Sequence, residues 1–514
     1  MSEEKKHRNW WLRAILGGAL ALLIPVAVLI SCRRTWIRPL AGVRVEMTRR
    51  AVQESHLGPE SAYRLLLQAI EEPTRTAPPV GNPRVWSVDG MEALAKLRLH
   101  GWPAAPPLRV AIQKPNQGTD TPGSTPPEPV ADPASPWSRE QYEDIRELLT
   151  LYGPNVALLD RALAAPNPQM PTIDGTSGPQ RDWWAVLTLA RWLAISAEYR
   201  AATGDCAGAF RDLGRAVDMG NLLCRGGGAM NQQVAAACQT IAMDSAWHIA
   251  AQRRVPLPVL REAARHTLRA ADTAEPAVEA LRADALSVPG QVARTGRTGI
   301  AFLFPMHGFT MSPRVRMLQG FLFAALPLAG STKRATERNL KCLYQHGISL
   351  AQTPYSAKTK AAYESLAPRP TNAREVRNTM LWTRDPVGYL WAAILVYNFE
   401  KIHHLNTQRD ATLRGTALFL ALKAHEAEHG TVPERLEQLV PEYLPRIPSD
   451  PFDGRPFRYL KGSVPGLPPT AWGIYSVGSD FTDDGGTAQP VGAVGAGARD
   501  RVWASQPYPT GKHQ

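Results

Sequence analysis

The chain has 514 residues, of which 44% are hydrophobic and 20% are charged, a composition typical of a globular protein with a sizeable core. Its formal net charge is +12, but residues 1–50 contain ten Lys and Arg against three Glu. Cationic residues are expected around an N-terminal apolar segment, so the charge does not indicate nucleic-acid binding. We therefore expect no nucleic-acid partner.

The apolar segment is "AILGGALALLIPVAVLI", residues 14–30, and it is just long enough to cross a bilayer. No small-residue cleavage site follows it, so we predict an uncleaved membrane anchor over residues 1–34. The end of the segment, Leu29-Ile30-Ser31-Cys32, resembles a bacterial lipoprotein box. In that alternative Cys32 is lipidated, although the two arginines directly after it disfavour lipidation.

The expected location is a bacterial inner membrane, with one membrane pass and most of the chain in the periplasm. The arginines just after the anchor favour the opposite orientation by the positive-inside rule, but long domains are often translocated regardless of local charge. The other cysteines form no C-x-x-C and no zinc-ribbon spacing, and they suit small buried positions. These cysteines are Cys206, Cys224, Cys238 and Cys342.

Short helices are predicted over residues 35–114, most clearly at 61–70. Residues 115–137 are proline-rich without periodicity and predict a flexible linker. A helical domain is expected over 138–405. Further helices are predicted in that domain over 229–253, 256–272, 275–286, 314–326, 332–349, 357–365 and 386–403.

The strongest helical pattern covers residues 183–224, where two apolar stripes are separated by a turn at Gly204-Asp205. The stretch "AEYRAATGDCAGAFRDLGRAV" resembles one tetratricopeptide-type helical hairpin. No second copy follows at the repeat spacing of that family, so a solenoid is not predicted.

Residues 406–514 predict a small α+β domain. A helix beginning at Thr412 is expected to end at Gly430, since glycine suits the position after a helix. Short Tyr, Phe, Ile and Val runs separated by Gly, Asp and Pro then predict an antiparallel sheet with long loops. The expected fold class is thus a mainly α-helical body with an N-terminal membrane anchor and a small α+β C-terminal domain.

The helix ends in His425-Glu426-Ala427-Glu428-His429, which matches H-E-x-x-H. That spacing would place His425 and His429 on one face to bind zinc, beside Glu426 as the general base of a metallopeptidase. No third ligand can be identified from the sequence. The alternative is an ordinary helix end, since histidines near a helix C-terminus are favoured by the helix dipole.

The order of motifs in this region resembles the globular domain of the major pseudopilin of type II secretion systems. The resemblance covers under a fifth of the chain, and its motifs occur in the order of the family. It depends on His425, Gly430, Pro433, Ile447-Pro448-Ser449-Asp450-Pro451, Gly454, Pro456, Phe457, Tyr459, Tyr475-Ser476-Val477-Gly478-Ser479-Asp480, Gly485-Gly486, Asp500 and Val502.

The resemblance implies a pseudopilin-like fold for residues 406–514 and a calcium ion in the C-terminal loop region. Carried over by position, the calcium ligands are Ser476, Asp480 and Asp500. Asp483 and Asp484 are further candidates that depart from the family's spacing. Such oxygen ligands suit calcium, whereas the alternative is a solvated acidic turn.

The N-terminus lacks the glutamate-containing leader junction of pseudopilins, so polymerisation into a pseudopilus shaft is not expected. The residues assemble no nucleophile–base–acid arrangement. We expect a non-enzymatic, membrane-anchored envelope protein that acts as a scaffold or accessory of a type II secretion-like system. Its expected partners are the membrane and secretion-machinery or other envelope proteins. The alternative function is a membrane-anchored zinc metallopeptidase.

Overall fold

The computed structural model describes residues 58–70, 139–166, 168–171, 182–295, 333–366, 385–487 and 500–506. These parts contain ten α-helices and one three-stranded antiparallel sheet, which confirms a mainly helical fold with a small sheet. The predicted anchor, Cys32, the linker and the helix expected over 314–326 lie outside the described residues. Within them, no helix is both long enough and apolar enough to cross a membrane.

The described elements are all α-helices as far as His429, and the strands come after that residue. The helices are α1 (Ala62–Ala69), α2 (Arg139–Ala164), α3 (Asp182–Ala202), α4 (Cys206–Cys224), α5 (Ala229–Gln252), α6 (Leu257–Thr273), α7 (Ala277–Thr295), α8 (Lys333–Ala351), α9 (Ala357–Leu366) and α10 (Pro386–His429). The strands are β1 (Arg458–Lys461), β2 (Trp472–Ser476) and β3 (Arg501–Ala504), with short 3-10 helices at Leu436–Leu439 and Gly478–Asp480.

The chain divides into two compact units. Of the described elements, the first unit has α7, α8, α9 and α10 as far as His403. The second unit has α1 to α6, α10 from His404 onward, and the sheet. The predicted domain bounds at 138–405 and 406–514 stay a prediction.

In the first unit, a buried aspartate begins α10. Asp385 is 1% exposed, accepts a hydrogen bond from the Gly388 amide at 3.0 Å, and accepts another from Thr336 Oγ1 at 2.7 Å. An aspartate in this position satisfies an amide that the helix leaves free at its N-terminus. Rings of Tyr344 and Phe399 pack 4.8 Å apart between α8 and α10.

Helix α10 is longer than expected. The sequence predicts separate helices over 386–403 and from Thr412, whereas the structure has one helix of 44 residues. The joining stretch 404–411 is polar, and several of its polar side chains are nevertheless buried, including Asn406 at 5% exposed and Arg409 at 2% exposed. Tertiary contacts, rather than an apolar stripe, keep this stretch in the helix.

The antiparallel sheet packs on the last part of α10. The strand order is β1-β2-β3, with Tyr459 opposite Ile474 and Ile474 opposite Trp503. Phe419 of α10 contacts the Trp472 ring of β2, with centroids 5.4 Å apart. Gly415 of α10 makes room for the sheet, because a Cβ there would lie 2.4 Å from the Trp503 ring. The sheet and α10 therefore share one core.

Helices α5 and α6 hold this C-terminal part of the second unit through polar contacts as well. Trp247 Nε1 donates to the Ala504 carbonyl at 3.0 Å. The ion pairs are Arg501–Asp244 at 2.9 Å, Arg261 with Glu428 and with Glu442, and Arg446–Asp272.

A hydrogen-bonded pair of His266 on α6 and Asp218 on α4 predicts that the stability of the protein depends on pH. His266 Nε2 lies 3.0 Å from Asp218 Oδ2, and this hydrogen bond raises the pKa of His266 against the opposing effect of burial. Because the folded-state pKa exceeds the unfolded value of about 6.5, the contribution of His266 is complete below about pH 6.5 and is lost as the pH rises through the folded-state pKa.

We expect His266→Gln to lower the urea midpoint at about pH 5.5 and to change it much less at about pH 9. Asp218→Asn should show the same dependence, since it removes the acceptor of the same bond. An equal loss at both pH values would contradict the expectation.

Candidate functional site

Each polar residue of the H-E-x-x-H motif makes a hydrogen bond that holds the end of α10 in place. Glu426 accepts hydrogen bonds from Trp472 Nε1 at 3.0 Å and from Lys423 Nζ at 2.8 Å. The glutamate that a metallopeptidase would use to activate water is thus held between the β2 indole and a lysine of its own helix. This geometry fits a structural role for Glu426.

His425 closes the helix end. Its Nδ1 lies 2.9 Å from the Thr431 carbonyl oxygen. A carbonyl can only accept, so Nδ1 carries the proton in this hydrogen bond. The bond caps the turn in which Gly430 takes a φ of +73°, a conformation that favours glycine.

His429 belongs to a relay that leads to α6. The Tyr443 hydroxyl donates to Glu428 Oε2, so its oxygen accepts from His429 Nε2 at 3.2 Å. Arg261 pairs with Glu428 and places its guanidinium 5.0 Å from the centroid of the Tyr443 ring. The hydrogen bond from Tyr443 and the Arg261 pair hold the pKa of Glu428 below its usual value.

Asp450, which the sequence analysis did not select as a ligand, joins the Ile-Pro-Ser-Asp-Pro stretch to Ser476 and Val477. It is fully buried, and its Oδ1 accepts from Ser476 Oγ and from the Phe452 amide, both at 3.0 Å. Its Oδ2 accepts from the Val477 amide at 3.0 Å. Burial raises the pKa of Asp450, against the lowering effect of these hydrogen bonds. Its motif, Ile-Pro-Ser-Asp-Pro, was the signal that could have identified it.

Ser476, the first predicted calcium ligand, is therefore committed to Asp450. Its oxygen also accepts from the Gly478 amide at 3.2 Å. Asp480 makes a local turn, in which its Oδ1 accepts from the Thr482 amide at 3.1 Å. The structure turns these two predicted ligands toward separate partners.

Asp483 lies in the loop between β2 and the Gly485-Gly486 turn. Its Oδ1 accepts from the Tyr475 hydroxyl at 2.9 Å and from the Gly485 amide at 3.1 Å. Arg458 Nε lies 3.4 Å from Asp483 Oδ2, and the same guanidinium pairs with Asp453. Burial alone would raise the pKa of Asp483, but the amide, the hydroxyl and Arg458 hold it below its usual value.

Asp500 is the predicted ligand with an open oxygen. It is fully buried, and its Oδ2 accepts from the Gly486 amide at 2.7 Å. Its Oδ1 is buried and has no hydrogen-bond partner among the described residues. Burial raises the pKa of Asp500 against the lowering effect of the Gly486 and Asp484 amides, and the charges of Asp483 and Asp484 raise it further. The three aspartates thus concentrate negative charge around the Gly485-Gly486 turn.

The Gly-Gly turn is required sterically. Gly485 and Gly486 have φ of +67° and +79°, which non-glycine residues rarely adopt. A Cβ on Gly486 would lie 2.6 Å from Leu460 Cδ1 and 3.2 Å from the Tyr475 ring. The turn therefore brings the amide of Gly486 to Asp500 only with glycine in place.

Calcium takes six to eight oxygen ligands in proteins, about 2.3–2.6 Å away. Within the described parts of the chain, no group of three His, Cys, Asp or Glu side chains is placed to hold a metal ion. Of the predicted calcium ligands, Asp500 fits a cation best, with Asp483 and Asp484 close enough to act on its charge. For the alternative zinc site, His425 and His429 have ring centroids 4.4 Å apart, and Glu426 is bonded elsewhere.

No family model, no curated protein and no solved structure matches this chain. The likeness to the major pseudopilin therefore depends on the sequence motifs and on the order of the elements that carry them.

Proposed function

We propose that the protein is a non-enzymatic scaffold or accessory of a type II secretion-like system in the bacterial cell envelope. Residues 14–30 anchor it in the inner membrane, and most of the chain is periplasmic. The pseudopilin-like C-terminal domain binds calcium in its acidic loop, and the partners are proteins of the secretion machinery or the envelope.

One observation carries the proposal: separate motifs of the resemblance meet at two buried carboxylates, Asp450 and Asp500. Asp450, from the Ile-Pro-Ser-Asp-Pro stretch, accepts from Ser476 and Val477 of the Tyr-Ser-Val-Gly-Ser-Asp stretch. The Gly485-Gly486 turn packs on Tyr475 and bonds Asp500. A chance set of short matches would have no reason to form one contiguous structure.

The order of elements supports the same proposal. A long helix, α10, is followed by a short 3-10 helix and then by three antiparallel strands that pack on the end of the helix. A helix followed by a small antiparallel sheet is the order that the sequence predicts for residues 406–514. The contacts of Glu426 with Trp472 and Lys423 support the non-enzymatic part of the proposal.

Calcium binding is supported by charge. Asp500 offers one buried oxygen that accepts no hydrogen bond from the residues that the structure describes, and the nearby charges of Asp483 and Asp484 repel its ionised form. A bound divalent cation would remove this repulsion and would stabilise the folded state by linkage. The residues that would hold the ion are Asp500 first, with Asp483 and Asp484 beside it.

The test is thermal unfolding of the full chain in detergent micelles, with calcium, zinc or EGTA added. We expect calcium at about 100 times its dissociation constant to add about 2.7 kcal/mol of stability, and Asp500→Asn to abolish this gain. Glu262→Gln, which removes an exposed carboxylate of α6 that pairs with exposed Arg269, is the control that keeps the gain.

Zinc retained after desalting, together with peptide hydrolysis that Glu426→Gln abolishes, would instead establish the metallopeptidase. Deletion of residues 14–30 should move the protein from the membrane to the soluble fraction. In a separate experiment, cross-linking in cells should capture envelope proteins on the chain that keeps residues 14–30. If a chain that keeps residues 14–30 captured none of them, the scaffold proposal would be wrong.

A further inference from the structure

The two edge strands of the sheet, β1 and β3, differ in whether the rest of the chain contacts their outer edge. The outer edge of β3 is covered by α5, since Trp247 donates to the Ala504 carbonyl and Asp244 pairs with Arg501. These contacts occupy a backbone group that would otherwise be available to another strand. Strand β1 is the opposite edge of the same sheet.

The pairing pattern shows which groups of β1 point outward. Antiparallel partners alternate between hydrogen-bonded and non-hydrogen-bonded pairs. The Gly462 amide donates to the Ala471 carbonyl at 3.0 Å, so Leu460 also directs its backbone groups toward β2. The backbone N–H and C=O of Tyr459 and Lys461 therefore point away from the sheet.

These outward groups have no hydrogen-bond partner within the part of the chain that the structure describes. The side chain of Tyr459 donates to the Pro433 carbonyl, and Lys461 pairs with exposed Glu434, but both contacts leave the backbone edge open. Residues 461–463 are exposed. An open edge of this kind is a template for another strand.

We propose that the outer edge of β1 pairs with the same edge of a second copy of this chain, forming a continuous six-stranded sheet across a two-fold axis. The axis passes between the two copies at Leu460. In this antiparallel register, Tyr459 of each copy exchanges both backbone hydrogen bonds with Lys461 of the other copy, which makes four bonds in all.

The side chains of β1 are compatible with this register. Each Lys461 lies opposite a Tyr459 ring, which favours a cation–π contact, and each Arg458 lies opposite Gly462, so no like charges are paired. The two Leu460 side chains meet at the axis. A second copy is the occupant we propose, because its own β1 places no like charges directly opposite each other in this register. A strand of another protein is an outcome that the test distinguishes.

The first measurement is the mass of the full chain in detergent micelles by sedimentation and light scattering, with calcium removed. We expect a dimer. Lys461→Pro removes the outward amide without removing a bond to β2, and proline is tolerated on strand edges. Because two of the four bonds are lost, its dissociation constant should rise at least about tenfold. Lys461→Ala keeps the amide and should stay a dimer.

A cross-link tests the register. Leu460→Cys places two thiols at the axis, in a non-hydrogen-bonded pair close enough for a disulfide, and should give a covalent dimer on mild oxidation. Lys461→Cys lies opposite tyrosine and should give far less. The unsubstituted chain reports the background from the natural cysteines.

A monomeric chain, a dimer that Lys461→Pro leaves intact, or failure of Leu460→Cys to cross-link would each overturn this pairing. A monomer that protects the Tyr459 and Lys461 amides from hydrogen exchange only after another envelope protein is added would assign the edge to that protein instead. The pairing requires neither calcium nor a secretion partner, so its failure would leave the proposed function standing.

Discussion

Arg409→Ala is expected to lower the free energy of unfolding of the second compact unit by about 3–5 kcal/mol, the range for removing one member of a buried polar cluster. The Arg409 side chain is 1% exposed. Its guanidinium donates to Gln232 Oε1 at 3.1 Å, to Asp410 Oδ1 at 2.9 Å and to the Glu275 carbonyl at 3.3 Å. Alanine would leave a cavity. It would also leave three acceptors without the hydrogen bond from Arg409, and these acceptors cannot all bond water instead.

The measurement is urea unfolding followed by far-ultraviolet circular dichroism, with two controls. Arg409→Lys keeps the charge but not the planar set of donors, and should lose an intermediate amount. Arg269→Ala removes an arginine that is 66% exposed and pairs with an exposed glutamate, so its effect should stay within about 0.5 kcal/mol. If Arg409→Ala matched Arg269→Ala, the buried cluster would not be what keeps residues 404–411 helical.

This cluster also explains why the sequence predicted the separate helices better than their connection. The expected helix over 256–272 corresponds to Leu257–Thr273, and the one over 357–365 corresponds to Ala357–Leu366. Apolar periodicity and proline or glycine boundaries are local, so they can be read from the sequence. The stretch 404–411 has polar residues where a core helix has apolar ones. The partners of Arg409 outside α10, Gln232 and Glu275, are distant in the chain.

In the candidate site, too, the sequence predicts the residue types better than the contacts between them. The sequence indicated which side chains could supply oxygen ligands, and the calcium site itself stays a prediction. The sequence did not indicate that Ser476 would be taken by Asp450, or that Glu426 would bond Trp472. Both contacts join residues of different elements, and only the packing of α10 on the sheet brings them together.

Trp503→Ala should lower the free energy of unfolding by about 3–5 kcal/mol, the usual range for a buried aromatic. Trp503 is 3% exposed, its Nε1 donates to Thr416 Oγ1 at 3.1 Å, and its ring meets Phe457 edge-to-face at 6.0 Å. Trp503 thus joins β3 to Thr416 and Gly415 of α10. Loss of the ring should also remove the calcium-dependent gain in stability if the position of Asp500 depends on β3.

The partner of the ring provides the matched control, measured by the same urea unfolding. Gly415→Ala would push a Cβ to 2.4 Å from the Trp503 ring and should destabilise by about 1–3 kcal/mol, although alanine is the better helix former. A Cβ on Gly214 in α4 would lie 3.4 Å from His266 Cε1, an ordinary van der Waals contact, so Gly214→Ala should stabilise by up to about 1 kcal/mol. In a Trp503→Ala background the penalty of Gly415→Ala should vanish, because the cavity accepts the methyl group. Additive losses would show that the two residues act independently.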